Sequence, residues 1–240
     1  MSERFDLFIF GSTSTFAQAL IERHKPWFQE HARRLIVTQR DAECPAVYRD
    51  FDVVSIALDC SNPVSFRERV DAIVAEHASD ARRQHVMPTY GKFNWDYADK
   101  GPVFRFSDDG LQINLTARLQ ILDAFRRCAA RTKFHLFGSL FSCFPYTGDY
   151  ALSMWYVNQL PRNAEYRDLD LIIYNLGGMK TRFWDHGAGP KRNPFLHDEL
   201  PTARVFEAGF IQDRRGVVNF YPSVMSRVAC ALGRAGVRVL

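Results

Sequence analysis

The chain has 240 residues and a formal net charge of +4, with 31 Lys and Arg set against 27 Asp and Glu. That length holds one sizeable domain, and no linker, low-complexity tract or repeat interrupts it, so residues 1–240 are read as a single domain. The basic excess is slight and dispersed among acids, which excludes an extended nucleic-acid footprint.

Five cysteines, Cys44, Cys60, Cys128, Cys143 and Cys230, are widely spaced and form no Cys-x-x-Cys, and the seven histidines show no ligand spacing. Free thiols, a reducing compartment and no metal site are expected. No basic-then-apolar leader precedes the first apolar run, and no run reaches membrane-spanning length. The expectation is a cytoplasmic protein without a membrane span.

Phe5 to Phe10 is a short apolar run of β-formers, as in a strand buried on both faces. Gly11-Ser12-Thr13-Ser14-Thr15-Phe16-Ala17 then turns into a helix with Phe16, Leu20 and Ile21 on one face. A strand, a small-residue turn and a helix start present free backbone N–H groups to an anion. Of the three glycines of the dinucleotide fingerprint only Gly11 is present, with Thr15 and Ala17 in the other places. Arg34 to Thr38 reads as the second strand and runs into Arg40, where an arginine suits a ribose 2′-phosphate or is simply a solvated loop charge. Val53 to Leu58 reads as the third strand, followed by Asp59-Cys60 and a helix from Pro63 to about Ala78.

Gln84 to Pro88 reads as the fourth strand, leading to Tyr90-Gly91 and an aromatic loop containing Phe93, Trp95, Tyr97 and Phe104. A long helix is predicted over Asp108 to Arg131, with Asn114 near its start. Phe134 to Phe137 reads as strand five, ending at Ser139, and a helix starts near Asp149 with Tyr150 in its first turn. Ser139 and Tyr150 thus form a hydroxyl pair over one cleft, with Ser142 as a second serine candidate. Met154 lies one turn beyond Tyr150 on the same helix face. Leu169 to Tyr174 reads as strand six, before Gly177 and Thr181. Residues 182–212 read as a substrate lid or specificity segment, with a helix from Pro201 to Ile211. A last strand at Val217 to Tyr221 and a terminal helix complete the chain. Strands alternating with helices predict a parallel α/β sheet with right-handed crossovers. His135 fits a strand interior better than a site, as a satisfied core histidine.

In order and spacing these features resemble the short-chain dehydrogenase/reductase family. The pieces are the turn at Gly11, Asp59-Cys60, Tyr90-Gly91, Asn114-Leu-Thr, Ser139, Tyr150 and Leu176-Gly177-x-x-x-Thr181. The resemblance implies a Rossmann-like, doubly wound parallel sheet flanked by helices. It assigns Tyr150 to proton donation or acceptance, Ser139 to polarising the substrate oxygen and Asn114 to a proton relay. Gly11, Ser12, Thr13, Thr15, Phe16 and Ala17 would line a dinucleotide pyrophosphate. Asp59, Cys60, Tyr90, Gly91, Met154, Gly177 and Thr181 would complete the cofactor site, and Arg40 would favour NADP(H) over NAD(H). The family's Tyr-x-x-x-Lys is here Tyr150-Ala-Leu-Ser-Met154, so the expected cation is missing from that helix; Lys92 and Lys180 are loop candidates for one. The expected activity is oxidation or reduction of a carbonyl or secondary alcohol on a bulky apolar or aromatic small molecule. A non-redox isomerase, dehydratase or cyclase needing no dinucleotide, and a catalytically silent binding subunit, stay open beside it. A homodimer or homotetramer is also implied.

Overall fold

The computed structural model describes residues 3–40, 43–91, 95–98, 101–104, 106–179, 196–197, 200–221 and 224–235. Its centre is a seven-stranded, wholly parallel sheet made of β1 (Phe5–Phe10), β2 (Ala32–Gln39), β3 (Val53–Ala57), β4 (Gln84–Pro88), β5 (Thr132–Ser139), β6 (Asp170–Leu176) and β7 (Gly216–Phe220). The spatial order is β7-β6-β5-β4-β1-β2-β3. The chain winds outward in both directions from the β1/β4 boundary, which makes that boundary the topological switch point.

Every residue of β1 is buried, and the period of two divides them between two cores. Phe8 and Phe10 join Ile36, Phe134, Leu136, Leu171 and Ile173 on one face. Phe5, Leu7 and Ile9 join Leu35, Val37, Ile172 and Tyr174 on the other. The first face is covered by α3 (Pro63–His77), α5 (Ala117–Ala124) and Val157 of α6 (Asp149–Gln159). The second is covered by α1 (Thr15–Arg23), α2 (Lys25–His31) and α7 (Thr202–Phe206). The doubly wound architecture implied above is the one observed.

Four local expectations need correction. The helix predicted over 108–131 is broken into α4 (Asp108–Leu111), a π-helical turn at Gln112–Thr116, α5, and a 3-10 stretch at Phe125–Arg131. Gly110 is a weak helix former placed where any Cβ would fall 2.0 Å from Asp149 Oδ2, so the first segment is shaped by its contact with α6. The aromatic loop after β4 contains an antiparallel pair, Trp95–Ala98 with Gly101–Phe104, in keeping with its content of strand-forming aromatics. The end of the expected lid is core: Val205 and Ala208 are buried against the sheet, and the rest of α7's predicted span is a π-turn at Glu207–Ile211. Finally, Cys143 and Cys230, 87 positions apart, are joined as a disulfide, leaving Cys44, Cys60 and Cys128 as free thiols. The bond ties the turn at Leu140–Cys143 to α8 (Val224–Arg234), and Leu140, Phe144, Tyr221 and Ala229 pack around it.

Charged side chains inside the sheet are all partnered. Asp6 of β1 accepts from Arg33 Nε at 2.8 Å and from Arg33 Nη2 at 2.7 Å, with Arg34 Nε 3.3 Å away. Lys133 Nζ reaches Asp213 Oδ1 and the Arg214 carbonyl, each at 2.8 Å. A neutral polar chain crosses β4, β5 and β6: His85 Nδ1 lies 2.8 Å from His135 Nε2, and His135 Nδ1 lies 2.7 Å from the Tyr174 hydroxyl. His135 is the satisfied core histidine expected of it. Gly209 closes over this chain, and a Cβ there would stand 1.9 Å from the Tyr174 oxygen.

Two measurements check this picture. Burial, aided by Arg83 and Lys133, lowers His85 to about 3, and burial lowers His135 well below the ordinary histidine value. A histidine whose folded pKa is depressed contributes stability that is complete above about pH 6.5 and is lost as pH falls from there. Denaturant unfolding should therefore show stability dropping between pH 7 and 5, by up to about 1.4 kcal/mol per pH unit for each ring. A flat profile across that window would contradict the neutral chain. Thiol counting on unfolded, unreduced protein should find the three free thiols, rising to all five cysteines after reduction.

Candidate active site

Because the sheet is buried on both faces, side-chain chemistry gathers at the carboxyl ends of its strands, on either side of the β1/β4 switch point. Gly11 leaves β1 at φ +89°, a backbone conformation that glycine adopts without strain. A Cβ there would stand 3.0 Å from both the Cβ and the amide nitrogen of Tyr90, so the first turn and the end of β4 can touch only through a glycine. The Gly11 and Ser12 amides donate to the Thr38 carbonyl at 3.0 and 2.8 Å, and the Thr89 hydroxyl donates to the Gly11 carbonyl at 2.8 Å. These bonds stitch the turn across the ends of β2 and β4.

Ser12 is fully buried and faces away from the cleft: its hydroxyl donates to Gln39 Oε1 at 2.7 Å, and its carbonyl accepts from the Tyr48 hydroxyl at 3.0 Å. Thr13 is exposed and Thr15 half-buried, whereas Phe16 and Ala17 lie on the buried face of α1. No side chain caps α1 at Ser14, so the backbone amides of its first turn have no side-chain acceptor there. With the Gly11 and Ser12 amides taken by Thr38, the donors left to meet an anion here are those of the first turn of α1.

Beyond β2 and β3, Arg40 is exposed and its charge reaches Asp59 and Cys60. The Ser61 amide, 3.0 Å away, is the main influence holding the Asp59 carboxylate below its usual range, and Arg40 adds to it. Burial raises the Cys60 thiol. Tyr90 does not project into the cleft. Its ring packs edge-on against Phe66 of α3, 6.3 Å between centroids, and its hydroxyl is enclosed with no hydrogen-bond partner among the described residues. Gly91 follows it at the surface.

Across the cleft, Ser139 ends β5 with its hydroxyl accepting from the Phe141 amide at 3.3 Å and hydrogen-bonded to Tyr150. Tyr150 is half-buried in the first turn of α6, which Gly148 enters at φ +141°, and its ring meets Phe141 edge-on at 6.1 Å. Asp149 beside it is buried and accepts from the Ser107 hydroxyl at 2.7 Å and its amide at 3.1 Å, which fixes the start of the helix. Ser142 is buried and bonded to Tyr221 instead, so of the two serine candidates Ser139 is the one bonded to Tyr150. Asn114 is fully buried in the π-turn packed against α6. Gly177 follows β6 and is buried, its amide 3.4 Å from the Phe220 carbonyl. Thr181, Lys92, Lys180 and most of the expected lid lie outside the described residues.

One site residue was missed. Arg118 of α5 is 3% exposed, and its guanidinium lies between the strand ends and α6. Nη1 donates to the Phe137 carbonyl at 2.8 Å and lies 3.7 Å from Met154 Sδ; Nη2 donates to the Tyr90 carbonyl at 3.0 Å. Burial raises the Tyr150 phenol, while the Arg118 charge and the Ser139 bond pull it back down. The sequence signal was one charged residue four positions after Asn114, on a helix face otherwise continued by Ile121 and Leu122.

Among the described residues no cluster of three or more His, Cys, Asp or Glu could hold a metal ion, and no helix is long and apolar enough to cross a membrane. No protein-family model and no curated protein matches the sequence. Solved structures do match its fold over nearly the whole chain. A short-chain dehydrogenase from Burkholderia cenocepacia in complex with NADP has a TM-score of 0.68 at 15% identity, covering 96% of this chain and 93% of that one. An alcohol dehydrogenase from Thermococcus sibiricus complexed with 5-hydroxy-NADP has a TM-score of 0.66 at 18% identity, covering 91% and 96%. A short-chain dehydrogenase from Sphingobium yanoikuyae in complex with NADPH has a TM-score of 0.65 at 18% identity, covering 97% and 93%. The chain therefore has the fold of the short-chain dehydrogenases.

Proposed function

We propose that the protein is an oxidoreductase of the short-chain dehydrogenase/reductase type. In this reading it interconverts a carbonyl and a secondary alcohol on a bulky apolar or aromatic small molecule, with NADP(H) as cofactor. The observation that carries the reading is the hydrogen-bonded pair of Ser139 and Tyr150 at the carboxyl end of β5, in the sheet whose β1 ends at the Gly11 turn. A nicotinamide dinucleotide would supply the hydride. The Gly11 turn and the first turn of α1 would hold its pyrophosphate, and Asp59, Cys60, Gly91, Gly177 and Thr181 its remaining parts. Arg40, exposed beyond β2, would meet a 2′-phosphate, and three fold neighbours are themselves complexes with NADP, 5-hydroxy-NADP or NADPH.

The chain's own groups divide the proton chemistry. Ser139 already accepts from the Phe141 amide, so its hydroxyl proton is available for the Tyr150 oxygen or for a substrate oxygen lying between the two. Tyr150 stays protonated at neutral pH because burial raises its phenol, which suits it to give a proton to a carbonyl oxygen as that oxygen becomes an alcohol. Phe141 beside Tyr150 supplies apolar wall to the pocket. Exposed Val228 and Leu232 on α8 support association into a homodimer or tetramer.

Titration calorimetry should find NADPH binding more tightly than NADH, with the preference reduced roughly tenfold or more in Arg40→Ala, since loss of a charge-assisted contact to a phosphate is worth about 1.5–3 kcal/mol. Absence of binding by either dinucleotide would sink the redox reading and favour chemistry without hydride transfer. Tyr150→Phe keeps the ring but not the proton. It should bind NADPH normally while losing roughly 100-fold or more of the NADPH consumption seen with aromatic ketones and aldehydes.

A further inference from the structure

The strand ends could be tied together by a neutral amide, yet the chain encloses a full positive charge there. Arg118 is 3% exposed and, among the described residues, has no carboxylate within ion-pair distance. Its Nε is also enclosed and, among the described residues, without a hydrogen-bond partner. Enclosing a cation costs several kcal/mol, which two carbonyls make tolerable but do not require, since a neutral donor would link the ends of β4 and β5 without that cost.

The groups that feel this charge narrow its purpose. They are Tyr90, Tyr150 and Cys60. The Tyr90 hydroxyl is enclosed without a partner among the described residues, on a ring packed against Phe66, and the Cys60 thiol is raised by burial. Of the three, Tyr150 is the one with a second hydroxyl against it, that of Ser139. The geometry is equally specific. Nη1 lies 3.7 Å from the sulfur of Met154, one helical turn beyond Tyr150, so the guanidinium enters from α5 against the turn where α6 has only a thioether. Asp149, next to Tyr150, is occupied by Ser107.

We propose that Arg118 is a positioning residue for Tyr150, supplying from a neighbouring helix the positive charge that α6 lacks at Met154 and so readying the phenol for proton exchange. The inference rests on the assignment of Tyr150 to proton transfer, but its test needs neither dinucleotide nor substrate. Arg118 touches no reacting atom; it favours the phenolate through space and fixes the ends of β4 and β5 on either side of it.

The test is a site-specific titration. With 3,5-difluorotyrosine at position 150, which titrates well below tyrosine, the ¹⁹F shift follows that phenol alone in the full chain. Arg118→Gln, which keeps an amide donor near the two carbonyls, and Arg118→Met should each raise the midpoint by about one pH unit or more, a tenfold change in proton affinity. Adding Met154→Lys to Arg118→Met should bring the midpoint back toward the native value, because it restores charge from α6 itself. An unchanged midpoint in Arg118→Gln overturns the proposal, as does a double variant whose midpoint stays raised. Should neither single variant fold, the double variant decides: a native midpoint supports the proposal and a raised one overturns it. Failure here with intact NADPH binding would remove Arg118 from the mechanism and leave the oxidoreductase reading standing. The converse result would do the opposite.

Discussion

Burial of β1 on both faces is the constraint on which the rest of the molecule depends. A strand whose six residues are all enclosed leaves no room for chemistry along its length, and its alternating side chains demand a helical layer on each side. The chain meets that demand with aromatic and branched residues that sort cleanly into two cores. Three polar groupings within the sheet are closed systems: Asp6 with two arginines, Lys133 with Asp213, and the His85–His135–Tyr174 chain. What is left for function is the rim where the strands end. There the turns need glycine, and hydroxyls are held by neighbouring backbone.

That rim holds two demands that pull against each other. The turn after β1 must lie close enough to β4 for backbone contact, which Gly11 permits, while the Tyr90 side chain must go somewhere other than the cleft. It goes down against Phe66, and its carbonyl is left pointing at Arg118. A large residue after β4 is therefore compatible with an open cleft because the ring folds into the core below it. The same arrangement supplies one of the two carbonyls that make an enclosed guanidinium tolerable.

Much of this was legible in the sequence, and the gaps have physical causes. The strands announced themselves as short apolar runs, because parallel strands buried on both sides carry no competing polar alternation. Ser139 and Tyr150 were recognisable as a pair from the strand and helix that present them. Arg118 was not, since helical periodicity tells which face a residue occupies but not whether that face meets a core or the underside of a cleft. The break in the long helix near Asn114 was hidden for a similar reason: it arises from contact with α6, which is remote in sequence. The disulfide lay further out of reach, because spacing alone cannot show that Cys143 and Cys230 come within 5.4 Å between Cα atoms.

The disulfide also bears on how the site is held. Ser139 is the last residue of β5, and the turn that follows it, Leu140–Cys143, is anchored on its far side to α8. A Cβ on Gly233 of that helix would stand 2.5 Å from the Phe144 ring and 2.6 Å from the Cys143 carbonyl, so the helix is seated without clearance. The Ser142 hydroxyl joins Tyr221 on the same side. One side of the hydroxyl pair is thus fixed by the sheet and the other by a turn clamped between α6 and α8. With Arg118 immobilised by one carbonyl from β5 and one just beyond β4, both it and Ser139 are held by backbone before any ligand arrives. A site organised in this way keeps its charges oriented without solvent rearrangement, which is the condition under which a single cation beside a phenol has its largest effect.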